Sequence, residues 1–154
     1  MQKYTDAELK DLIDKLSVEE RAYISGLFDG EGCIRLHLLR KQHVDKRLVI
    51  TMTNKDVITW LANKTGLGSI HKKTPKQPTW RPIYYWTVTG RQAVALAEAI
   101  RPWSIVKSAQ IDLFLDYVAQ ETSDGADYGV RLTPERVTRR REAAAQMSAL
   151  KRVI

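Results

Sequence analysis

Ile24-Ser25-Gly26-Leu27-Phe28-Asp29-Gly30-Glu31-Gly32 is the stretch on which the fold turns. Gly26 and Gly30 stand four apart, so on a helix they share one face from which no side chain projects. A second backbone can approach such a face closely. Two acids, Asp29 and Glu31, sit at the helix exit, and Gly30 and Gly32 let the chain leave helical geometry at little cost. Just upstream, Ser17-Val18-Glu19-Glu20 has the spacing of a capping box, which starts this helix at about Val18 and predicts its end at Asp29 or Gly30. Just downstream the period changes to two. In Cys33-Ile34-Arg35-Leu36-His37-Leu38 the apolar residues alternate with Arg35 and His37, the pattern of a half-buried strand.

Working outward, Leu9, Leu12, Ile13 and Leu16 predict a short amphipathic helix over 6–16. A polar turn through 41–45 leads to a second strand over 47–53. Asn54 is placed to cap a helix over 55–65, closed by Gly66 and Gly68. Residues 69–73 read as a third strand, 74–82 as a loop with Pro75, Pro78 and Pro82, and 83–89 as a fourth strand rich in Tyr, Trp, Thr and Val. Ala93, Leu96, Ala97 and Ile100 predict a helix that stops before Pro102. Another starts at Ser104 and runs through Ile111, Phe114, Leu115 and Val118. Residues 121–130 read as a loop, and Thr133-Pro134-Glu135 opens a last, arginine-rich helix over about 133–152. The order α-α-β-β-α-β-β-α-α-α describes one α+β domain over 1–154, with helix–strand–strand occurring twice and no linker.

Composition narrows the function. The 154 residues carry a formal charge of +7, a pI near 9.6 and 44% hydrophobic residues. That is enough to bury a core without disulfides. The single cysteine, Cys33, makes no internal bridge, and no zinc-type ligand spacing is present. The polar start has no secretory h-region, and no apolar run approaches a membrane span. The expectation is an intracellular protein (cytoplasm, nucleoid or organelle), not secreted and with no membrane partner. The charge is unevenly spread. Residues 1–20 hold three Lys against six acids, whereas 35–47 hold five basic groups against Asp45 alone. Residues 71–81 carry Lys72, Lys73, Lys76 and Arg81 with no acid, and 131–154 carry seven basic groups against two acids. Nucleic acid is the favoured partner.

The glycine-faced helix ending in Asp-Gly-acid-Gly resembles the LAGLIDADG motif of homing endonucleases. The resemblance extends in topology from about residue 18 to 118, an αββαββα core with a mixed, mostly antiparallel DNA-binding sheet. Helical extensions at 6–16 and 133–152 flank it. It implies that two such helices pack through their glycine faces, here Ser25, Gly26, Leu27 and Gly30. It also implies that the last acid, Glu31, binds a catalytic Mg²⁺ or Mn²⁺, while Asp29 is structural; on sequence alone either neighbour can hold the metal. Asn54 matches a polar position near the metal-bound water, though it serves equally as a helix cap. Lys107, after Pro102-Trp103, matches the active-site lysine but is also an ordinary surface lysine. One motif copy implies a homodimer. A carboxylate suits a hard cation, and a metal steadies charge on the attacking and leaving oxygens of a phosphodiester.

Base reading falls to the strands, because a two-stranded ribbon fits the major groove. The outward positions expected are Arg35 and His37; Arg47, Val49 and Thr51; Ser69, His71 and Lys73; and Tyr84 and Trp86. Lys41, Lys46, Lys72 and Lys76 are expected at phosphates and Arg81 among the DNA-binding residues, with Arg139-Arg140-Arg141 as a phosphate clamp or a solvated helix face. Among the tryptophans, Trp60 and Trp103 fit core positions better than stacking ones. The expected function is site-specific cutting of both strands of a long, near-palindromic DNA duplex, promoting mobility of a host intron or element. The alternatives are a cleavage-deficient regulator or splicing maturase on the same fold, which would bind DNA or intron RNA, and a basic RNA-binding domain.

Overall fold

A computed structural model describes residues 4–123 and 132–153. Helix α1 spans Asp6–Asp14 and α2 spans Val18–Glu31, each opened by a reciprocal capping box. In α2 the Glu20 N–H donates to Ser17 Oγ and the Ser17 N–H to Glu20 Oε2, both at 3.1 Å. The helix runs one residue beyond Gly30, so that Glu31 is its last residue and Gly32 its cap. Gly32 is extended (φ −81°, ψ 156°), so its lack of a side chain serves space rather than handedness. A Cβ there would lie 2.3 Å from the Phe28 ring.

Strand β1 follows at once over Gly32–Leu38, and a 3-10 turn at Arg40–Gln42 leads to β2 over Val44–Met52. Helix α3 (Lys55–Thr65), β3 (Ser69–Lys73), β4 (Ile83–Thr89) and α4 (Gly90–Ile100) complete the repeated unit. Helices α5 (Ser108–Ser123) and α6 (Pro134–Arg152) follow. The element order is the one expected from the sequence, and the class is α+β. The sheet order is β1-β2-β4-β3, and every strand pair among the described residues is antiparallel. The sheet, expected to be mixed and mostly antiparallel, is thus antiparallel in every described pair. Of the loop expected over 121–130, residues 121–123 continue α5, and the remainder lies outside the described residues.

Helix α5 begins at Ser108, four residues later than expected. Ser104 is extended, and the N–H groups of Ile105, Val106 and Lys107 turn toward Asp29 instead of opening a helix. One apolar cluster joins the elements, from Leu9 of α1 through Ile24 and Phe28 of α2, Ile34, Leu48 and Val88 of the sheet, and Ile111 and Phe114 of α5, to Met147 of α6. The helices thus cover one face of the sheet and leave the other to solvent or a partner.

Candidate functional site at the end of α2

The two acids of the motif have separate fates. Asp29 is engaged through both oxygens. Oδ1 accepts from Ser104 Oγ (2.7 Å) and the Lys107 N–H (3.1 Å), and Oδ2 from the N–H groups of Ile105 (2.7 Å) and Val106 (3.0 Å). Partial burial works to raise this carboxyl, but the four donors outweigh it and hold Asp29 below the usual aspartate value. Asp29 is therefore the peg that ties the segment before α5 to the end of α2. Glu31, two residues on, is exposed at the helix terminus.

The same strap delivers Lys107. Its Nζ donates to the main-chain oxygen of Asp29, on the turn of α2 that ends in Glu31. A cation there also complements the negative end of the helix dipole. Asn54 caps α3, its Oδ1 accepting the Val57 N–H at 3.0 Å. The cap is the role the geometry displays, and the carboxamide oxygen is occupied by it. Residue 54 lies two positions beyond Met52, at the end of β2 beside the start of β1, where Ile50 pairs with Gly32. Glu31, Lys107 and Asn54 thus lie toward the same end of the sheet.

Gly26 and Gly30 are exposed on α2, and a Cβ at either would meet no heavy atom within 4 Å. Leu27 is half-buried and packs against the core. Ser25 departs from the expected interface. It is fully buried and its Oγ donates to Ile100 O at 2.8 Å, so it anchors α2 to α4. The bare glycine face continues into exposed apolar groups, Tyr23 on α2 and Ile105, which is 84% exposed beside Asp29.

Register defines the outer face of the sheet, because directly paired residues point the same way. Arg35 pairs with Arg47 and Arg47 with Thr89; Val49 pairs with Thr87 and Thr87 with Ser69; Thr51 pairs with Tyr85 and Tyr85 with His71. Lys73 and His37 extend the face at opposite ends of the sheet. Arg35, His37, Ser69, His71 and Lys73 are exposed, while Arg47 and Thr51 are half-buried. Arg35 and Arg47 stand directly opposite, an unfavourable pairing that an anion would relieve. Arg47 is partly compensated, its Nε donating to Asp45 at 2.6 Å. Ser69 Oγ lies 3.1 Å from His71 Nε2.

Strand β4 corrects the expectation. Tyr84 and Trp86 face the helices, with Trp86 only 1% exposed and its Nε1 donating to Leu67 O at 2.9 Å. Tyr85 and Thr87 occupy the outer positions that had been expected for their neighbours. The polar–apolar alternation of Trp86-Thr87-Val88-Thr89 carried this signal, and the size of the indole obscured it. Arg139 and Arg140 are corrected too. Arg140 donates to both oxygens of the buried Glu121 and, at 2.8 Å, to Gln42 O in the β1–β2 turn. Arg139 also pairs with Glu121. Both hold α6 against α5 rather than projecting as a clamp. Lys41, at the tip of the β1–β2 turn, and Arg81, in the β3–β4 loop, are exposed.

Among the described residues no group of three or more His, Cys, Asp or Glu is placed to hold a metal, and no helix is long and apolar enough to cross a membrane. A single exposed carboxylate still fits a hard cation that keeps its waters and shares substrate phosphates.

An α2 that feeds an antiparallel β1-β2-β4-β3 sheet gives the fold of LAGLIDADG homing endonucleases, and solved structures of that kind are similar to the chain. The homing endonuclease I-CvuI, in complex with its target, superposes with a TM-score of 0.70 at 18% identity over 86% of this chain and 82% of its own. The archaeal intron-encoded homing endonuclease I-Vdi141I, complexed with DNA, gives 0.70 at 20% identity over 86% and 84%. The LAGLIDADG homing endonuclease I-SmaMI, bound to cleaved DNA, gives 0.66 at 15% identity, covering 96% of this chain but 53% of its own. At such identities the likeness establishes the fold. Neither a protein-family model nor a curated protein matches the sequence.

Proposed function

We propose that the protein is a member of the LAGLIDADG family and a divalent-metal-dependent endonuclease that cuts both strands of double-stranded DNA as a homodimer. The observation that carries this reading is the division of labour at the end of α2. Asp29 is consumed by the strap before α5, while Glu31 stays exposed with the Lys107 ammonium anchored on the same helical turn. Glu31 is the residue that would hold Mg²⁺ or Mn²⁺, and such an ion, when bound, activates water and steadies the phosphate oxygens. Lys107 is set to meet the charge that develops on the scissile phosphate. Asn54 acts by holding the start of α3 beside them.

Two cuts need two carboxylates related as the two DNA strands are. Packing of α2 on its copy through Gly26 and Gly30, with Tyr23 and Ile105 buried at the margin, places one Glu31 on each side of the two-fold axis. Arg35, Arg47, Thr51, Tyr85, Thr87, Ser69, His71 and Lys73 then face the major groove, and Lys41 and Arg81 meet the backbone. The site read by such a dimer is long and near-palindromic, as befits an enzyme that promotes the mobility of an intron or similar element.

The experiment is selection of cleaved sites from a random duplex library with Mg²⁺, using wild type beside Glu31→Gln. Wild type is expected to recover a near-palindromic site, and the variant to bind that site without cutting it. Cutting by Glu31→Gln removes Glu31 from the chemistry. Recovery of bound but uncut duplexes by the wild type points to a DNA-binding protein on the same fold.

A further inference from the structure

The β3–β4 loop carries a large aromatic that neither the core nor the proposed site employs. Trp80 is 64% exposed, whereas Trp86 is buried and Trp60 packs against the core. One exposed apolar side chain means little by itself. Here its surroundings give it meaning. The loop is stiffened by Pro75, Pro78 and Pro82, and the Trp80 N–H donates to Gln77 O at 3.1 Å, closing a turn with Pro78 at its second position. A chain so constrained presents the indole with little left to lose in entropy on binding.

The charge around it has one sign. Between Asp56 and Glu98 the sequence contains no acid, and Lys73, Lys76 and Arg81 are exposed around the loop. The loop also stands at the cutting end of the sheet. Gly32 pairs with Ile50, Met52 with Tyr84 and Ile83 with Lys73, so the loop, the start of β1 and Glu31 lie at the same end. The opposite end carries the β1–β2 turn with Lys41. Strand β1 is one edge, and the two strands the loop joins, β4 and β3, lie two and three strand spacings from it, about 10 and 14 Å across the sheet.

We propose that Trp80 is a DNA contact, stacking its indole on a base at a partly opened step near the cleavage centre, with Lys76 and Arg81 holding the adjoining phosphates. An aromatic has a face for any base, and an apolar wedge at a base step stabilises the bent duplex that brings more phosphate onto protein. This inference rests on the reading of the protein as a DNA nuclease.

The test uses the full chain, a fluorescein-labelled mixed-sequence duplex and Ca²⁺ at low salt. Anisotropy reports binding and tryptophan emission reports stacking. Wild type is expected to bind with a fall in tryptophan emission, and Trp80→Phe to bind while losing most of that fall. Trp80→Ala is expected to bind about five- to a hundredfold more weakly, the range of one base–aromatic stack, with an unchanged melting temperature because the side chain is exposed. Binding by wild type with no change in emission, the same fall in Trp80→Phe, or wild-type affinity in Trp80→Ala overturns the inference and leaves the nuclease reading standing. Failure of the wild type to bind DNA at all overturns both.

Discussion

Asp29→Asn separates the two acids of the motif. The carboxylate presents one oxygen to Ser104 Oγ and the Lys107 N–H and the other to the N–H groups of Ile105 and Val106. A carboxamide keeps one of those oxygens, and its NH₂ group turns a second pair of donors against a donor. A hydrogen bond to a charged group contributes about 1.5–3 kcal/mol. Two are lost, but Ile105 and Val106 lie at the surface, where water replaces part of the loss. The expected destabilisation is about 2–3 kcal/mol, which for a chain of this size lowers the melting temperature by roughly 5–10 °C. Glu31→Gln, at an exposed terminus, should change stability by no more than about 0.5 kcal/mol.

The pH dependence has a definite sign. The donors hold the folded-state pKa of Asp29 below its unfolded value, so the unfolded chain binds the proton more readily. The stabilisation is complete above the ordinary aspartate value, about 4, and disappears as the pH falls through the lower folded-state value. Asp29→Asn should flatten this part of the acid limb. Thermal unfolding followed by circular dichroism from pH 3 to pH 7 measures both effects. A melting temperature for Asp29→Asn within about 2 °C of wild type, together with a large drop for Glu31→Gln, would reverse the assignment of structural and catalytic acid.

Gly26→Ala and Gly26→Leu should leave the isolated subunit folded, since a Cβ there meets nothing, and Ala should favour α2 by up to about 1 kcal/mol. Both should shift sedimentation toward monomer, Leu more strongly, and an unchanged dimer would place the interface elsewhere. Trp86→Ala should cost about 3–5 kcal/mol by emptying the core, whereas Tyr85→Ala should weaken DNA binding with little effect on unfolding. The reverse pattern in denaturant titrations and binding isotherms would overturn the face assignment of β4. At Gly68, φ is +72° and a Cβ would lie 2.6 Å from Thr87 O and 2.8 Å from Trp86 Nε1. Gly68→Ala should therefore destabilise by about 2 kcal/mol or more through left-handed strain and close contact together. A urea midpoint equal to wild type would refute this.

Most of the architecture was legible because its signals are local. The Ser17–Glu20 box, the glycine exits and the switch of period from helix to strand each lie within a few residues. The misplaced boundaries are equally instructive. Residues 104–107 carry helix-compatible residues, but the Ser104 hydroxyl and the N–H groups of Ile105, Val106 and Lys107 are drawn to Asp29, 75 to 78 residues away in sequence. No local rule foresees that competition. Arg140 reads as a free cation until Glu121 and the Gln42 carbonyl are seen around it. Ser25 reads as a small interface residue until Ile100 O is found within its reach.

The sequence by itself determined the order of elements, the basic character of two strand regions and the presence of a bare helix face beside two acids. Those properties depend on periodicity, charge and the absence of a Cβ, which the chain carries before it folds. The tertiary structure decided which acid is free. Hydrogen bonds saturate one carboxylate only when a distant segment docks on it, so the identity of the exposed one is a property of the packed chain. The same holds for β4. Either face of a strand can be buried until its register with its neighbours is set, and pairing with β2 and β3 turned Tyr85 outward and Trp86 into the core.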